Sequence, residues 1–518
     1  MSTREAAPTS ADEPDTTSDK RSIILVFVGL MITMLLASLD QMIFSTALPT
    51  IVGELNGVNH MVWVTTAYIL ASTIMMPVYG KLGDLIGRKG LFIGAISIFI
   101  VGSVIGGLSH DMTTLIAGRA VQGLGGGGLI LLSQAIIADV VPARQRGRYM
   151  GAMGGVFALA SVAGPLLGGW FTEGIGWRWA FWINVPLGLL AIASASAFLH
   201  LPKPKLGKPS IDYPGMILVA TSATCLILFT TWGGNTYDWD SAVIIGLIIG
   251  SIVSAIAFVM VERRATEPVI PMHLFSERNF VLTTTAGLII GIAMFGALAY
   301  LPTYIQMVTG KNATEAGLMM IPMMAGLLVS SIGSGQIVSK TGRYKAFPIV
   351  GTSIVAVSLV LLSRLTPSTS LVVFGIYIAI MGVGLGLVMQ ILILIVQNTF
   401  PAAEVGTATA SNNFFRQIGA SLGSAIVGSL FASRLSNLLA ERLPAGGGVG
   451  GEENSLTPGI LWKLPDQIRE IIVGAYNDAL APIFMYLVPL VVAAVILLLF
   501  VKEKPLATTI DRSAAPIE

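Results

Sequence analysis

The sequence predicts an all-α polytopic membrane protein with 14 transmembrane helices, arranged as two six-helix bundles plus two inserted helices. Composition is the first reason, because 54% of the 518 residues are hydrophobic and 11% are charged, whereas about a quarter of an ordinary soluble domain is charged. The other two reasons are a series of long apolar segments and a charged decapeptide that returns 255 positions later. Lipid is therefore the solvent for most of the chain.

The apolar segments are each about 20 residues long or more, enough to cross about 30 Å of hydrocarbon at about 1.5 Å per residue. Their approximate spans are 22–49, 60–80, 90–108, 113–139, 148–172, 179–200, 212–232, 241–261, 280–305, 314–339, 346–364, 371–399, 405–433 and 480–501. The thirteenth is the least regular, because Asn412, Asn413, Arg416 and Gln417 interrupt it.

The decapeptide divides the chain into related halves. Gly80 to Lys89 reads GKLGDLIGRK, and Gly335 to Lys345 reads GQIVSKTGRYK, so Asp84 falls opposite Ser339. This offset pairs helices 2 and 3 with helices 10 and 11. We therefore expect an N-terminal bundle at 22–200, a linker with two inserted helices at 201–278, and a C-terminal bundle at 279–501. Two such halves around a site near the bilayer midplane are typical of secondary transporters.

The basic residues predict the orientation. With a cytoplasmic N-terminus, the tails and the even-numbered connections hold 21 of the 30 Lys and Arg residues. This is the positive-inside pattern, and it places both termini in the cytoplasm of a multi-pass cell-membrane protein, the inner or plasma membrane. Residues 1–21 are predicted to be a disordered cytoplasmic tail and residues 502–518 a second cytoplasmic tail.

The longest connection, 434–479, is predicted to be extracytoplasmic. It contains the glycine-rich segment 446–451, and then Ile468, Ile471, Ile472 and Ala475 at helical spacing. We expect an amphipathic helix resting on the bilayer surface. The alternative is a lid, or a docking surface for an envelope partner.

Two opposite charges lie within the predicted spans of the N-terminal half. Asp40 lies about 14 Å inside the outer end of helix 1, and Arg119 lies about 10 Å inside the outer end of helix 4. Burial favours the neutral form of Asp40 and a nearby arginine favours its charged form, so a moving cation or substrate would change its protonation. We expect these two residues to couple transport to protons. The alternative for Asp40 is a structural acid that is permanently paired.

A conformational latch is expected around the decapeptide. Asp84 and Arg88 share one face if the segment is helical, and Asp139 ends helix 4 on the same predicted side. Acids and bases placed in this way favour one conformation and release the other. The alternative is that the charges only fix topology. The full predicted latch comprises Gly80, Asp84, Gly87, Arg88, Lys89 and Asp139.

Helix 5 carries Gly164, Pro165, Gly168 and Gly169. Small residues permit close approach of backbones, and proline weakens a helix. We predict a hinge between conformations here. A static kink explains the same residues equally well.

The substrate cavity is harder to assign. Polar and aromatic residues of helices 1, 9, 12 and 13 are the candidates, namely Gln41, Tyr300, Tyr304, Gln390, Asn413 and Arg416. For each of them, a role in packing or in a hydrogen bond between helices is the alternative.

Five motifs resemble one family. The segment 80–89 resembles the signature loop of the major facilitator superfamily. Residues 119–123 (RAVQG) resemble its helix 4 motif, and residues 164–169 (GPLLGG) resemble the helix 5 motif of antiporters, although Ala160 stands where that motif often has its first glycine. Residues 39–49 and 177–188 resemble the helix 1 and helix 6 signatures of the fourteen-helix drug:proton antiporters of the multidrug efflux type.

The resemblance implies proton-driven export by alternating access, with Asp40 handling protons or cationic substrates and Arg119 assisting proton transfer. Because few other acids lie in mid-membrane, we expect lipophilic neutral or monocationic drugs or metabolites as substrates, and antibiotic resistance as a consequence. The alternatives are an importer or a lipid or metabolite transporter of the same fold, and a membrane sensor that transports nothing.

We expect no enzymatic activity, no cofactor, no metal site and no nucleic-acid partner. No phosphate-binding loop is present in the sequence, so the proton gradient is the expected energy source. The expected partners are the substrate, protons and membrane lipid, and the expected state is a monomer.

Overall fold

The computed structural model describes residues 16–55, 60–201, 210–234, 236–443 and 458–509, and these residues are mostly helical. The long helices are α1 (Thr16–Glu54), α2 (Met61–Ile86), α3 (Arg88–Gly107), α4 (Met112–Val140), α5 (Ala143–Trp170), α6 (Asn184–Phe198), α7 (Tyr213–Trp232), α8 (Ala242–Glu262), α9 (Arg278–Leu298), α10 (Ile321–Thr341), α11 (Ala346–Leu362), α12 (Leu371–Gln397), α13 (Val405–Arg442) and α14 (Asp466–Leu499).

These helices make the chain a multi-pass membrane protein. Within the described ranges, 13 helical segments are long and apolar enough to cross a membrane, and α11 is a shorter apolar helix. Together they agree with the predicted number of spans. The all-α class is therefore confirmed.

Several helix ends differ from the prediction. Helix α1 begins at Thr16, within the tail expected to be disordered up to residue 21. The predicted ninth span ends at Leu298 and resumes as the short helix Leu301–Thr309, which has Pro302 in its first turn. In contrast, α13 runs without a break through its polar residues, and Asn412 and Asn413 donate hydrogen bonds to Thr284 and Gln134 on neighbouring helices.

The helices form two bundles. Helices α1 to α6 pack together, as do α9 to α14, and the inserted helices α7 and α8 pack on each other while α7 contacts α2 and α13. The described chain starts and ends on one face, which we call the tail face. The opposite face, which carries residues 458–465, is called the loop face.

The two bundles meet at the tail face. Helix α2 packs on α13 and α5 packs on α10, where Cβ atoms added to Gly147 and Gly335 would lie 3.0 Å and 2.1 Å from the carbonyl oxygen of the other glycine. Towards the loop face, within the described residues, α1 makes no extended contact with α9 or with the short helix Leu301–Thr309. This structure is therefore closed at the tail face.

The expectation of a helix on the bilayer surface is wrong. Residues 466–478 continue directly into α14, and 434–442 belong to α13, so the irregular part of the 434–479 loop is shorter than predicted. Ile472 and Ala475 are fully buried in the core of the C-terminal bundle. The apolar side of this segment thus contacts protein. The glycine-rich segment 446–451 lies outside the described residues.

The predicted second tail folds back on the tail face. Glu503 accepts hydrogen bonds from the backbone N–H groups of Tyr344 (2.7 Å) and Lys345 (3.2 Å), and the carbonyl of Ala507 accepts one from the N–H of Arg144 (3.0 Å). Residues 502–507 therefore contact both bundles. Residues 510–518 lie outside the described chain.

Candidate functional site

The predicted intramembrane charges form an ion pair inside the N-terminal bundle. Asp40 of α1 is fully buried, and its Oδ2 lies 2.6 Å from the guanidinium of Arg119, whose side chain is 2% exposed. The other carboxylate oxygen, Oδ1, accepts hydrogen bonds from Gln122 Nε2 (2.7 Å) and Asn184 Nδ2 (2.9 Å). Both oxygens of the carboxylate are thus satisfied in its charged form.

Arg119 is fixed by aromatic rings as well as by Asp40. Its guanidinium carbon lies 4.1 Å from the ring centre of Phe44 and 4.4 Å from that of Tyr68, and it donates to Gln122 Oε1 at 2.7 Å. A guanidinium between two ring faces gains from their negative quadrupoles and loses access to water. The positive charge of Arg119 is therefore stabilised by a carboxylate, an amide oxygen and two aromatic rings.

Sequence reasoning assigned no role to the neutral members of this network. Gln122 and Asn184 both donate to the hydroxyl of Ser103, at 2.8 Å and 3.1 Å, which closes the network between α3, α4 and α6. The first two residues lie within the RAVQG and helix 6 motifs, so motif membership was the available signal. Ser103 carries no such signal, since a lone serine in an apolar helix usually bonds to its own backbone.

The predicted hinge packs directly beside Asp40. A Cβ added to Gly164 would lie 2.2 Å from the Cβ of Met42, and one added to Gly168 would lie 2.9 Å from the carbonyl oxygen of Ile43. These two glycines therefore allow α5 to approach α1 closely. No atom of the described residues lies within 4 Å of a Cβ placed on Gly169, so this glycine takes no part in the contact.

The predicted latch is assembled at the tail face. Arg88 is 5% exposed and lies between two carboxylates, with Asp84 at 2.5 Å and Asp139 in direct contact. Its guanidinium also donates to the carbonyl of Ala135 at 3.2 Å. The arginine thus joins the ends of α2 and α4.

Asp84 reaches across to the other bundle. Its carboxylate accepts hydrogen bonds from the N–H of Gly406 (3.2 Å) and from both the N–H and the hydroxyl of Thr407 (2.7 Å each). These groups lie in the first turn of α13, where the free N–H groups and the helix dipole favour a negative charge. The acid therefore holds the bundles together at the tail face.

The remaining latch residues have different roles. Gly80 allows α2 to approach α13, because a Cβ there would lie 2.3 Å from the Cβ of Ala410. Gly87 separates α2 from α3 at a φ of 96°, which favours glycine. Lys89 does not join the acidic cluster, since its ammonium donates to the carbonyl of Ser196 at 3.0 Å within the same bundle.

A smaller ionic contact closes the loop side of the N-terminal bundle. Glu54 accepts hydrogen bonds from Trp177 Nε1 (2.7 Å) and from Arg178 (2.9 Å). Hydrogen bonds from Arg178 and Trp177 lower the pKa of the Glu54 carboxyl. The contact is thus complete above the ordinary pKa of glutamate and is lost as the pH falls through the lowered value.

Two of the six predicted cavity residues lie inside the C-terminal bundle. Tyr304 is buried, donates to Asn477 Oδ1 at 2.8 Å, and stacks on Phe374. Tyr300 donates to the carbonyl of Ser424 at 3.1 Å. Both therefore hold α14 or α13 in place, and the assignment to a cavity is wrong for Tyr304, since the C-terminal bundle encloses its side chain.

The other four have different environments. Gln41 is exposed, whereas Gln390 is buried and its Oε1 has no hydrogen-bond partner among the described residues. Asn413 donates to Gln134 Oε1 of the other bundle at 2.8 Å, and Arg416 donates to Asn413 Oδ1 at 2.8 Å. Gln134 received no role from the sequence, because its importance depends on the contact between bundles.

Comparison with known proteins decides the family. Residues 30–424 match the sequence model of the Major Facilitator Superfamily. The chain belongs to this superfamily. The resemblance to the major facilitator superfamily is thereby confirmed, and this major facilitator protein is a membrane transporter and not an enzyme.

Its relatives extend over most of the chain. An uncharacterized MFS-type transporter of Mycobacterium tuberculosis is 42% identical over 94% of this chain and 70% of its own length. Multidrug resistance protein 3 of Bacillus subtilis is 34% identical over 94% of this chain and 97% of its own length. The solved structure of the proton:xylose symporter XylE aligns with 94% of this chain over 98% of its own chain. The TM-score is 0.58 and the sequence identity is 14%, so this likeness shows the shared fold.

Proposed function

We propose that this major facilitator transporter exports lipophilic neutral or monocationic compounds across the cell membrane in exchange for protons. The observation that carries the proposal is the buried Asp40–Arg119 pair with its neutral partners. An ionised acid in a membrane span is costly and points to function. The multidrug name of the Bacillus subtilis relative supports the substrate class.

Protonation of Asp40 is the proposed coupling step. A proton added to the carboxylate removes its charge, so the attraction to Arg119 at 2.6 Å is lost. Gln122 and Asn184 carry both donors and acceptors and adjust to either state, whereas the arginine keeps its charge. Proton binding therefore weakens the link between α1 and α4.

Helix α5 is the proposed route from Asp40 to the contact between bundles. On one side, Gly164 and Gly168 place it against the turn of α1 that follows Asp40. On the other side, it packs along α10, where the bundles are closed at the tail face. A movement of α1 is therefore transmitted to α5, the helix that packs on α10 at the tail face. This contact between bundles is proposed to switch between a closed and an open arrangement.

The direction of transport follows from the proposed orientation. The excess of Lys and Arg on the tail side supports a cytoplasmic location for that face. The closed tail face then corresponds to a state that is open outward, in which Asp40 exchanges protons with the exterior. Export driven by the proton gradient then requires return to the inward state.

The test uses inverted membrane vesicles, whose outer surface is the proposed cytoplasmic face. With an imposed pH gradient, acidic inside, we expect the wild-type protein to accumulate ethidium, a lipophilic monocation. Asp40→Asn should abolish this accumulation, because the amide does not take up the coupling proton. Addition of ethidium should also partly dissipate the pH gradient in wild-type vesicles only.

Asp240→Asn is the matched control, since it removes an exposed acid near the loop face and should leave accumulation unchanged. Folding of each variant is checked by gel filtration and thermal unfolding. Full gradient-dependent accumulation by Asp40→Asn contradicts the coupling assignment. Movement of ethidium out of the vesicles instead indicates an importer.

A further inference from the structure

Arg416 has no counter-ion in the part of the chain that the structure describes. Its one recorded hydrogen bond runs to Asn413 Oδ1 at 2.8 Å, and no Asp or Glu of the described residues lies within 4.0 Å. A guanidinium has five N–H donors. Most of the donors of this side chain are therefore unused.

Two buried arginines of the N-terminal bundle differ from Arg416. Arg119 has Asp40 as its partner and Arg88 has Asp84 and Asp139. An uncompensated charge within a membrane protein is costly, and such charges usually face a water-filled cavity or a substrate path. Arg416 is partly exposed.

The position of Arg416 is central. It lies about 16 Å along α13 from the start of that helix at the tail face. Asn413, one turn closer to the tail face, contacts Gln134 of the N-terminal bundle. Gly406 and Ala410 contact the same bundle at helical spacing. The arginine thus lies one turn further along α13 than the contact that Asn413 makes with Gln134.

We propose that Arg416 binds an acidic group, such as a carboxylate, on an otherwise lipophilic compound. A planar guanidinium with free N–H groups matches a carboxylate in a bidentate geometry. Such a site adds lipophilic anions and zwitterions to the proposed range of substrates. Asp40 does not repel them, because its charge is already paired with that of Arg119. This inference rests on the proposed transport function for its relevance, but the binding itself does not depend on proton coupling.

The experiment measures binding at equilibrium, with purified full-length protein in nanodiscs and no pH gradient. The probes are dansylglycine, a fluorescent lipophilic carboxylate, and its uncharged methyl ester. We expect wild-type protein to bind the carboxylate about ten-fold more tightly than the ester, as charge-assisted hydrogen bonds imply. Arg416→Gln should abolish this preference, and Arg416→Lys should retain part of it.

Arg364→Gln is the matched control, because Arg364 is exposed near the loop face and has no recorded ion pair among the described residues; it should keep the preference. Equal affinity of wild-type protein for both probes overturns the proposal, even if Arg416→Gln fails to fold. An unchanged preference in folded Arg416→Gln also overturns it. Since no gradient is present, loss of proton-driven ethidium transport in Asp40→Asn leaves this result unaffected.

Discussion

Each copy of the repeated loop contacts the fifth helix of the opposite bundle, but the two contacts are made by different chemical groups. The first copy places Asp84 at the first turn of α13. The second places Ser339 beside the start of α5, where its hydroxyl accepts from the N–H of Arg148 in the second turn at 3.0 Å and donates to the carbonyl of Gln145 at 3.4 Å. Helices α13 and α5 are the fifth helices of their bundles. The tail face is therefore closed by two related contacts.

The difference lies in the charges around each contact. In the first copy, Asp84 and Arg88 are 6% and 5% exposed and bond to each other. In the second, Ser339 replaces the acid and Arg343 is exposed. Arg144 compensates from the other bundle by donating to the carbonyls of Ser339 (3.4 Å) and Lys340 (2.9 Å). One contact is thus buried and ionic, and the other is a more exposed set of neutral acceptors.

What both copies keep is the first glycine. Gly80 faces Ala410 and Gly335 faces Gly147, in each case across the contact between bundles. The repeat therefore preserves the close approach of the helices, which depends on shape. It does not preserve the acid, because Ser339 stands at the position of Asp84, so the strength of the two contacts is free to differ.

The largest effect is expected for Asp84→Asn. The change removes the charge that the first turn of α13 and Arg88 both stabilise, and hydrogen bonds to a charged group contribute about 1.5–3 kcal/mol. We expect turnover of ethidium in vesicles to fall about ten-fold or more. Ser339→Ala is the matched change in the other copy and should alter turnover by less than about two-fold. Equal losses in the two variants would remove the distinction between the copies.

Gly80→Ala and Gly335→Ala are expected to have intermediate effects. Each should separate the two bundles, and by a similar amount. Added methyl groups would lie 2.3 Å from the Cβ of Ala410 and 2.1 Å from the carbonyl oxygen of Gly147, so the bundles must separate. Overpacking of this kind costs about 1–3 kcal/mol.

The separation is measurable as a longer distance between spin labels at positions 145 and 341, in a Cys225→Ala background. Gly333→Ala is the control, because no atom in the described part of the chain lies within 4 Å of its added Cβ. An increase for only one of the two glycines would show that the copies do not share this geometric role.

The smallest effect is expected for Ser339→Asp, which gives the second copy the acid of the first. A carboxylate near the first turn of α5 gains about 0.3–1 kcal/mol from the helix dipole. The population closed at the tail face should rise about two- to five-fold. The same spin-label pair reports it as a larger short-distance fraction. A fall in that fraction would mean that the serine is required for the second contact.

The sequence predicted the parts of the site that depend on residue type and spacing. Asp40 and Arg119 were found because ionisable residues are rare in apolar spans, and Asp84 with Arg88 because four residues make one helical turn. Gln122, Asn184 and Ser103 were missed as members of one network. None of them stands out from the sequence of its own helix. Each takes part in the network only because α3, α4 and α6 pack together.

The errors have related causes. Tyr304 has the composition of a cavity residue, but its hydroxyl bonds to Asn477, 173 positions along the chain. The segment 466–478 has the periodicity of a surface helix, yet the C-terminal bundle supplies the apolar surface that covers it. Periodicity identifies an apolar side but not what covers that side.

By itself, the sequence determined the membrane class, the number of apolar helices, the repeated halves and the residues whose burial is costly. These properties follow from hydropathy, helical periodicity and charge, which act over one or a few turns of a single segment. The tertiary structure alone decided that Asp40 is paired with Arg119, that Asp84 contacts α13, and that Arg416 lacks a counter-ion among the described residues. Such contacts join groups far apart in the chain, and their energies depend on distances and burial that only packing sets.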